Sequence, residues 1–188
     1  MLHKIQAIDT SLFLWLNGFH TPWLDKIMYW VTERNTWIPI YILLIIWLIW
    51  RYKQRAAGII GLLILTILIA DQTASTLLKP WVERLRPCYV SYLQDKIHLV
   101  VEGCGGKYGF ASSHASNSFG LATALWLLVL KHFRYKKLWR TITFVWAIIV
   151  AYSRVYVGVH YPLDIVAGAL IGVAAAYIAI WIGQKVGF

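Results

Sequence analysis

Long runs of apolar residues recur along this chain, and they constrain its fold more than any other feature of the sequence. Of its 188 residues, 60% are hydrophobic, and the mean hydropathy of +0.61 is too high for an ordinary water-soluble domain. A helix needs about 20 apolar residues to cross the hydrocarbon core of a bilayer. Runs that approach or reach this length occupy residues 36–50, 56–78, 113–130, 141–152 with the turn that follows, and 163–182.

We therefore predict an all-α fold, a polytopic membrane helical bundle in which residues 1–188 form a single domain. The segment 5–19 spaces Ile8, Leu12 and Trp15 as on one helix face and is rich in aromatic residues, which favours an N-terminal interfacial helix. Pro22 can begin a second, short helix that ends near residue 32. Because that helix is either interfacial or a shallow first span, we predict five to six transmembrane helices.

Membrane topology explains the formal net charge of +10 better than nucleic-acid binding does. Lysine and arginine flank the apolar runs and do not form a basic patch interleaved with aromatic residues. The connections 51–55 and 131–140 contain several basic residues and no acidic one, so the positive-inside rule places both in the cytoplasm. The connections 79–112 and 154–160 then lie on the outer face of the membrane.

Three polar segments interrupt the apolar chain, and the predicted topology brings all of them to that outer face. They occupy residues 79–87, 111–114 and 153–164. Ionisable groups are costly near a bilayer, so such groups are functional candidates. Three of their cations, Lys79, Arg86 and Arg154, can neutralise phosphate oxygens, although each alone also fits an anchor at the membrane interface.

Two histidines in these segments can supply nucleophilic and acid–base chemistry. His160 and Asp164 are four residues apart, which would place them on one helix face, and an Asp on one imidazole nitrogen leaves the other free as a nucleophile. A structural pair at a helix start is the alternative. His114 follows Ser112 and Ser113, which either cap a helix or bind phosphate oxygens while His114 donates a proton.

The cysteines and the carboxylates give no metal motif. Cys88 and Cys104 both lie in the outer connection, where they can form a disulfide in an oxidising compartment or remain two small buried thiols. Neither their spacing nor any carboxylate cluster matches a zinc or magnesium site, so we expect no metal and no cofactor. Asp71, inside an apolar run, can pair with a cation or fix helix packing, and we favour packing. The pair Gly168 and Gly172 indicates close packing within the bundle, with dimerisation as the alternative.

Together the three segments resemble the signature of the type 2 phosphatidic acid phosphatases (PAP2). The first motif, Lys-x6-Arg-Pro, matches at 79, 86 and 87, and the third, Ser-Arg-x5-His-x3-Asp, matches at 153, 154, 160 and 164. The second motif of the family, Pro-Ser-Gly-His, matches at Ser112 and His114 but has Ala111 in place of Pro and Ser113 in place of Gly.

The resemblance implies a metal-independent phosphatase that works through a phosphohistidine. By this likeness His160 is the nucleophile, Asp164 orients it and His114 is the acid–base partner. The implied phosphate ligands are Lys79, Arg86, Ser112, Arg154 and the backbone amide of Ser113. Serine lacks the backbone freedom of glycine, so the geometry of that amide can differ here, while the Ser113 hydroxyl can add a contact. Soluble vanadium haloperoxidases share the motifs, but the apolar spans argue against that outcome.

The resemblance and the outer site also imply the partners. We expect a membrane lipid phosphate as substrate, the lipid bilayer as environment, no nucleic acid, and a multi-pass protein of the bacterial inner membrane with its active site facing the periplasm. Undecaprenyl diphosphate, lipid A and phosphatidylglycerophosphate are the candidate substrates, with a slight preference for the isoprenoid diphosphate. Alternatives are a lipid-to-lipid phosphotransferase using the same site and an anion transporter, which the location of the charges at span ends disfavours.

Overall fold

The computed structural model describes residues 2–101 and 103–187, and these residues form a bundle of α-helices without a β-strand. The predicted all-α membrane bundle is therefore confirmed. The helices are α1 (Leu2–Asn17), α2 (Pro22–Thr32), α3 (Ile38–Tyr52), α4 (Ala56–Asp71), α5 (Lys79–Val82), α6 (Ser113–Leu128), α7 (Lys136–Tyr156) and α8 (Pro162–Lys185). A π-helical turn, Gln72–Leu78, joins α4 to α5.

In the described part of the chain, three helical stretches are long and apolar enough to cross a membrane: Arg34–Val82, Lys136–Tyr156 and Pro162–Lys185. The first stretch holds two of the predicted spans, since Leu48 of α3 packs in one core cluster with Ile59 of α4, which requires the chain to reverse near Lys53. Helix α6 has 16 residues and is about 24 Å long. The number of crossings, five or six, remains a prediction.

Helices α6 and α8 make the most extensive contact in the bundle, and small residues permit it. A Cβ atom added at Gly172 would overlap the carbonyl oxygen of Ser116 and lie 2.7 Å from the backbone nitrogen of Gly120. A Cβ at Gly168 would lie 3.0 Å from the Cβ of Ala115. The predicted role of this glycine pair in helix packing is confirmed, because only glycine lets the two backbones approach so closely.

Helix α1 presents a buried stripe to the bundle and an apolar face to its surroundings. Asp9, Phe13 and Asn17 are buried at intervals of four residues, whereas Ile8 and Trp15 are exposed, as an interfacial helix requires. The Asn17 side-chain amide donates hydrogen bonds to the carbonyl oxygens of residues 155 and 156 at 3.2 and 2.7 Å. These are terminal carbonyl groups of α7 that need a partner outside their own helix, so Asn17 ties α1 to the end of α7.

The two basic connections lie at one end of the bundle. Trp47, near the turn that joins α3 to α4, packs against Phe133, which follows α6, with ring centroids 5.9 Å apart. Because α4 ends and α6 begins at the opposite end of the bundle, the first two polar segments lie there. The third segment joins them where α7 ends and α8 begins.

Replacing Gly172 with Ala should destabilise the protein, because the new methyl group collides with the backbone of α6. Overpacking of this kind costs about 1–3 kcal/mol, which corresponds to a fall of roughly 3–10 °C in melting temperature for a chain of this size. Gly61→Ala is the matched control, since no atom lies within 4 Å of its Cβ position. Equal melting temperatures of the two variants in detergent would refute the packing role of Gly172.

Candidate active site

The three polar segments surround one cavity of about 490 Å³. They reach it from the end of the π-helical turn, the loop after α5, the first turn of α6, the last turn of α7 and the loop before α8. Six of the sequence-predicted site residues line the cavity: Lys79, Arg86, Ser113, His114, Arg154 and His160. Asp164 and Ser112 are fully buried and are not among the lining residues.

His160 and Asp164 are in contact, but not in the way their spacing suggested. His160 precedes α8 rather than lying on it, and Asp164 is the third residue of that helix. Nδ1 of His160 lies 3.3 Å from Oδ2 of Asp164, which also accepts a hydrogen bond of 3.0 Å from the Tyr161 backbone N–H. The expectation of a shared helix face was therefore wrong, and a helix-capping carboxylate brings the pair together instead.

Burial lowers the pKa of His160 well below its ordinary value, and the nearby cations Arg154, Arg86 and Lys79 lower it further. The imidazole is therefore neutral at pH 7. With its Nδ1–H directed at Asp164, its Nε2 retains a lone pair. A neutral imidazole in a cationic cavity has the properties that a nucleophile towards an oxyanion requires.

Lys79 is positioned by the wide helical turn that precedes it. Asp71, Ser75 and Lys79 all line the cavity at intervals of four residues. The Lys79 ammonium donates a hydrogen bond of 2.8 Å to the Ser113 hydroxyl, which also accepts one of 3.0 Å from Ser75. π-Helical turns are often found at functional sites, and here the turn places a cation beside the start of α6.

Arg86 and Arg154 approach the cavity from different elements. Arg86 follows α5, is 7% exposed and donates from Nε to the Tyr108 carbonyl oxygen at 3.3 Å. Arg154 lies in the last turn of α7 and donates from Nη1 to the Thr32 hydroxyl. Its Nε is buried without a partner among residues 2–101 and 103–187. The guanidinium groups of Arg86 and Arg154 and the ammonium group of Lys79 thus line the same cavity.

His114 and Ser113 line the cavity, whereas Ser112 does not. Nε2 of His114 lies 3.1 Å from the Thr32 carbonyl oxygen, which can only accept, so Nε2 carries a proton and Nδ1 is the exchangeable nitrogen. The Ser113 hydroxyl lines the cavity, while that of Ser112 is buried without a partner in the described part of the chain. Ser112 acts through its backbone, whose N–H donates to the Asp164 carbonyl oxygen at 3.0 Å.

Sequence reasoning missed Arg84, which contacts Asp164, and Asp9, which contacts Arg84. Arg84 donates from Nη1 to Asp164 Oδ1 at 2.9 Å and from Nη2 to Asp9 Oδ2 at 2.6 Å. Arg84 lies in the six-residue spacer of the first motif. The available signal was Asp9, an acidic residue in the predicted interfacial helix, because a carboxylate near a bilayer needs a cation nearby.

The glycine-rich segment near the second cysteine forms part of the cavity wall. Cys88 and Cys104 are joined by a disulfide, with their Cα atoms 6.3 Å apart. Gly103, Gly105 and Gly106 line the cavity beside it. Within the described ranges, no group of three or more His, Cys, Asp or Glu residues could hold a metal ion.

Asp71 joins two helices, as the sequence predicted, and also lines the cavity. Its Oδ1 accepts a hydrogen bond of 3.0 Å from the Asn117 side chain, which links α4 to α6. The packing interpretation is confirmed by this contact. The polar floor of the cavity is therefore built from helix residues that lie within the apolar runs.

Two further cavities continue from the polar one towards the apolar middle of the bundle. One of about 500 Å³ shares lining residues with the polar cavity, namely Thr32, Glu33, Arg34, His114 and Asn117. The other, of about 590 Å³, shares Trp37, Tyr41 and Leu121 with the second. It lies between α3, α6 and α7 and is lined almost entirely by apolar side chains. The three connected cavities are thus lined by charged side chains at one end and by apolar side chains at the other.

Comparison with known proteins gives consistent matches along the whole chain. A family model described as the PAP2 superfamily matches residues 60–188. The chain is 38% identical to a lipid A 4'-phosphatase of Bacteroides thetaiotaomicron, over 98% of this chain and 81% of that one. It is 35% identical to a lipid A 4'-phosphatase of Porphyromonas gingivalis, over 94% and 73% of the two chains.

A similar fold is known from a crystal structure. The transmembrane PAP2-type phosphatidylglycerolphosphate phosphatase of Bacillus subtilis superposes with a TM-score of 0.76 at 22% identity. The match covers 97% of this chain and 87% of that one. At that identity the likeness concerns the fold.

Arg154→Lys should weaken the binding of inorganic phosphate to the cavity, because an ammonium cannot reproduce the planar fork of a guanidinium. Loss of one charge-assisted hydrogen bond, about 1.5–3 kcal/mol, raises the dissociation constant by roughly 10-fold or more. Calorimetry on the detergent-solubilised protein measures it. The control is Arg140→Lys, whose guanidinium lies over Trp126 far along α7. Equal affinities in the two variants would exclude Arg154 as an anion ligand.

Proposed function

This chain belongs to the PAP2 superfamily and is a membrane lipid phosphatase, and from that premise we propose that it hydrolyses a lipid phosphate through a phosphohistidine on His160. The observation that carries the proposal is the neutral, Asp164-bound imidazole of His160 in a cavity lined by Lys79, Arg86 and Arg154. These groups match the needs of phosphoryl transfer, which are a positioned nucleophile and fixed positive charge.

In the first step Nε2 of His160 attacks phosphorus while the bond from phosphorus to the lipid oxygen breaks. The three cations stabilise the charge on the non-bridging oxygens. A bound phosphate is an anion beside the ring and favours a second proton on His114, at Nδ1. His114, held through Nε2 by the Thr32 carbonyl, gives that proton to the departing lipid oxygen. Asp164 accepts the Nδ1–H of His160 and stabilises the positive charge that develops on the attacking imidazole.

In the second step water attacks the phosphohistidine. His114 takes a proton from that water through Nδ1, the bond from phosphorus to Nε2 breaks, and the electron pair returns to His160. Inorganic phosphate then leaves, and both histidines recover their starting protonation states. The two steps use the side chains of the cavity, Asp164 behind His160, the Thr32 carbonyl and water.

The connected cavities support a substrate with a long apolar part. A phosphate among the cations would have its lipid chains directed towards the apolar cavity between α3, α6 and α7. Burying hydrocarbon there is favourable by about 25 cal/mol per Å² of apolar surface removed from water. The enzyme would thus take its substrate sideways from the bilayer.

Among the candidate lipids, we favour the phosphate monoester of lipid A. Two relatives above 30% identity carry that name, and both alignments extend over most of this chain. This reverses the slight preference for an isoprenoid diphosphate drawn from the motifs alone. The basic connections at the far end of the bundle and the disulfide beside the cavity support a periplasmic site in the bacterial inner membrane.

His160→Ala should lower the rate of phosphate release by about 1,000-fold or more, as loss of a nucleophile does in other covalent enzymes. The assay uses purified protein and ³²P-labelled lipid phosphate in mixed micelles. His132→Ala, an exposed histidine at the opposite end of the bundle, is the control and should retain activity. Near-normal turnover by His160→Ala would refute the mechanism.

The products of the same reaction separate hydrolysis from phosphotransfer. Hydrolysis releases labelled inorganic phosphate, whereas the alternative lipid phosphotransferase would place the label on a second lipid added to the micelles. We expect free phosphate as the main product. A labelled acceptor lipid in its place would assign the transferase activity.

Substrate choice is tested by a panel of lipid A, undecaprenyl diphosphate and phosphatidylglycerophosphate. We expect the highest kcat/KM with lipid A, by roughly 10-fold or more, a ratio that differential contacts in one pocket can supply. The cavity offers a single cluster of cations, which suits one phosphate monoester. A higher kcat/KM with undecaprenyl diphosphate would overturn the substrate assignment and leave the mechanism standing.

A further inference from the structure

We propose that Arg84 and Asp9 are positioning residues of this enzyme, which hold the Asp164 carboxylate in the one orientation that keeps His160 ready to attack. The inference rests on the proposed nucleophilic role of His160. It is carried by a continuous set of contacts, from Asp9 through Arg84 and Asp164 to His160.

Arg84 determines which oxygen of Asp164 faces the histidine. Its Nη1 donates to Oδ1 at 2.9 Å, so Oδ2 is left for His160 Nδ1 at 3.3 Å and for the Tyr161 backbone N–H at 3.0 Å. A carboxylate with only the last two contacts could rotate and exchange its oxygens. The guanidinium removes that freedom and supplies the positive charge that a fully buried anion needs.

Asp9 in turn fixes Arg84. Its Oδ2 accepts from Arg84 Nη2 at 2.6 Å, and its Oδ1 accepts from the Leu163 backbone N–H at 3.0 Å. One carboxylate from α1 thereby binds both the guanidinium and the first turn of α8. The Arg84 guanidinium also lies 4.0 Å from the centre of the Tyr161 ring, which stacks against it.

Arg84 is a positioning residue rather than a phosphate ligand. It is not among the residues that line the polar cavity, in contrast to Arg86, two positions further along the chain. Two of its nitrogens are already bound to carboxylates, and its ring contact covers one face. The same short segment therefore contains Arg86, which faces the substrate cavity, and Arg84, which binds the Asp164 carboxylate behind His160.

The role predicts an effect on the chemical step with little effect on substrate binding. Arg84→Gln and Asp9→Asn should lower kcat by about 10- to 100-fold, because even a small displacement of the reacting His160 imidazole slows the chemical step by a factor of that order. KM should stay within about 3-fold, because the phosphate ligands are untouched. Arg84→Lys keeps the charge but cannot bridge two carboxylates, so its kcat should lie between those of wild type and Arg84→Gln.

The assay uses full-length protein in detergent and the lipid of the panel above that wild type hydrolyses fastest. Rates are divided by the amount of folded protein, measured by gel filtration and melting temperature. Arg134→Gln is the matched control, since Arg134 is exposed and its guanidinium lies over Tyr135, away from the site. His160→Ala is included to test the mechanism on which the inference rests.

Chemical rescue separates positioning from a merely structural role. In Arg84→Ala, guanidinium ions added at millimolar concentration should restore kcat severalfold by occupying the space between the two carboxylates. The same ions should not restore His160→Ala. Because guanidinium destabilises proteins in general, a gain in activity cannot come from improved folding.

A lowered kcat with unchanged KM and rescue by guanidinium would establish the proposal. Arg84→Gln with kcat within about 2-fold of wild type would overturn it, provided that His160→Ala is inactive. If Arg84→Gln is not recovered as folded protein, the folded Arg84→Lys variant decides by the same criterion. An active His160→Ala would instead refute the proposed function itself.

Discussion

The rest of the structure depends on the contacts that hold the buried carboxylate of Asp164. An unpaired carboxylate out of water costs several kcal/mol, and removing one partner of a buried pair costs about 3–5 kcal/mol. Asp164 meets this cost with side-chain contacts to Arg84, His160 and the Tyr161 backbone. Its carbonyl oxygen accepts from the Ser112 N–H. Three segments of chain, around residues 84, 112 and 160–164, must therefore be in place.

The bilayer explains why the chemistry is built in this way. Apolar helix faces are stable towards lipid, so the fold can place polar groups only at helix ends and in the space between helices. Glycines in α8 bring that helix close to α6, and the first turn of α6 and the loop before α8 then meet at the cavity. Packing that depends on small residues thus determines the distance between His160 and His114, the proposed nucleophile and its proposed acid–base partner.

Much of this could be predicted from the sequence. Apolar runs predicted the helices. The basic connections predicted that two of the turns between helices lie at the same end of the bundle. The three motifs predicted six of the residues that line one cavity. These inferences rest on local periodicity and on short motifs. The same reasoning identified Gly172 and Asp71 as packing residues, and the structure confirms both contacts.

What the sequence did not reveal depends on contacts between distant segments. Asp9 is 75 residues from Arg84 along the chain, and no local sequence pattern predicts that they form an ion pair. The position of Ser112 behind the cavity wall depends on how α6 meets α8. His160 lies before its helix because Asp164 caps that helix. The first two misses are hydrogen bonds between distant segments. The third is local, and residue spacing alone cannot distinguish a helix face from a helix cap.

The central claim is that phosphate is carried on His160 between the lipid and water. The most direct measurement mixes the enzyme with a ³²P-labelled lipid phosphate, quenches the reaction in alkali at successive short times, and maps the labelled peptide. The account predicts an alkali-stable, acid-labile phosphate on the peptide that contains His160. Label on a different residue, or phosphate release without labelled protein at any quench time, would contradict it.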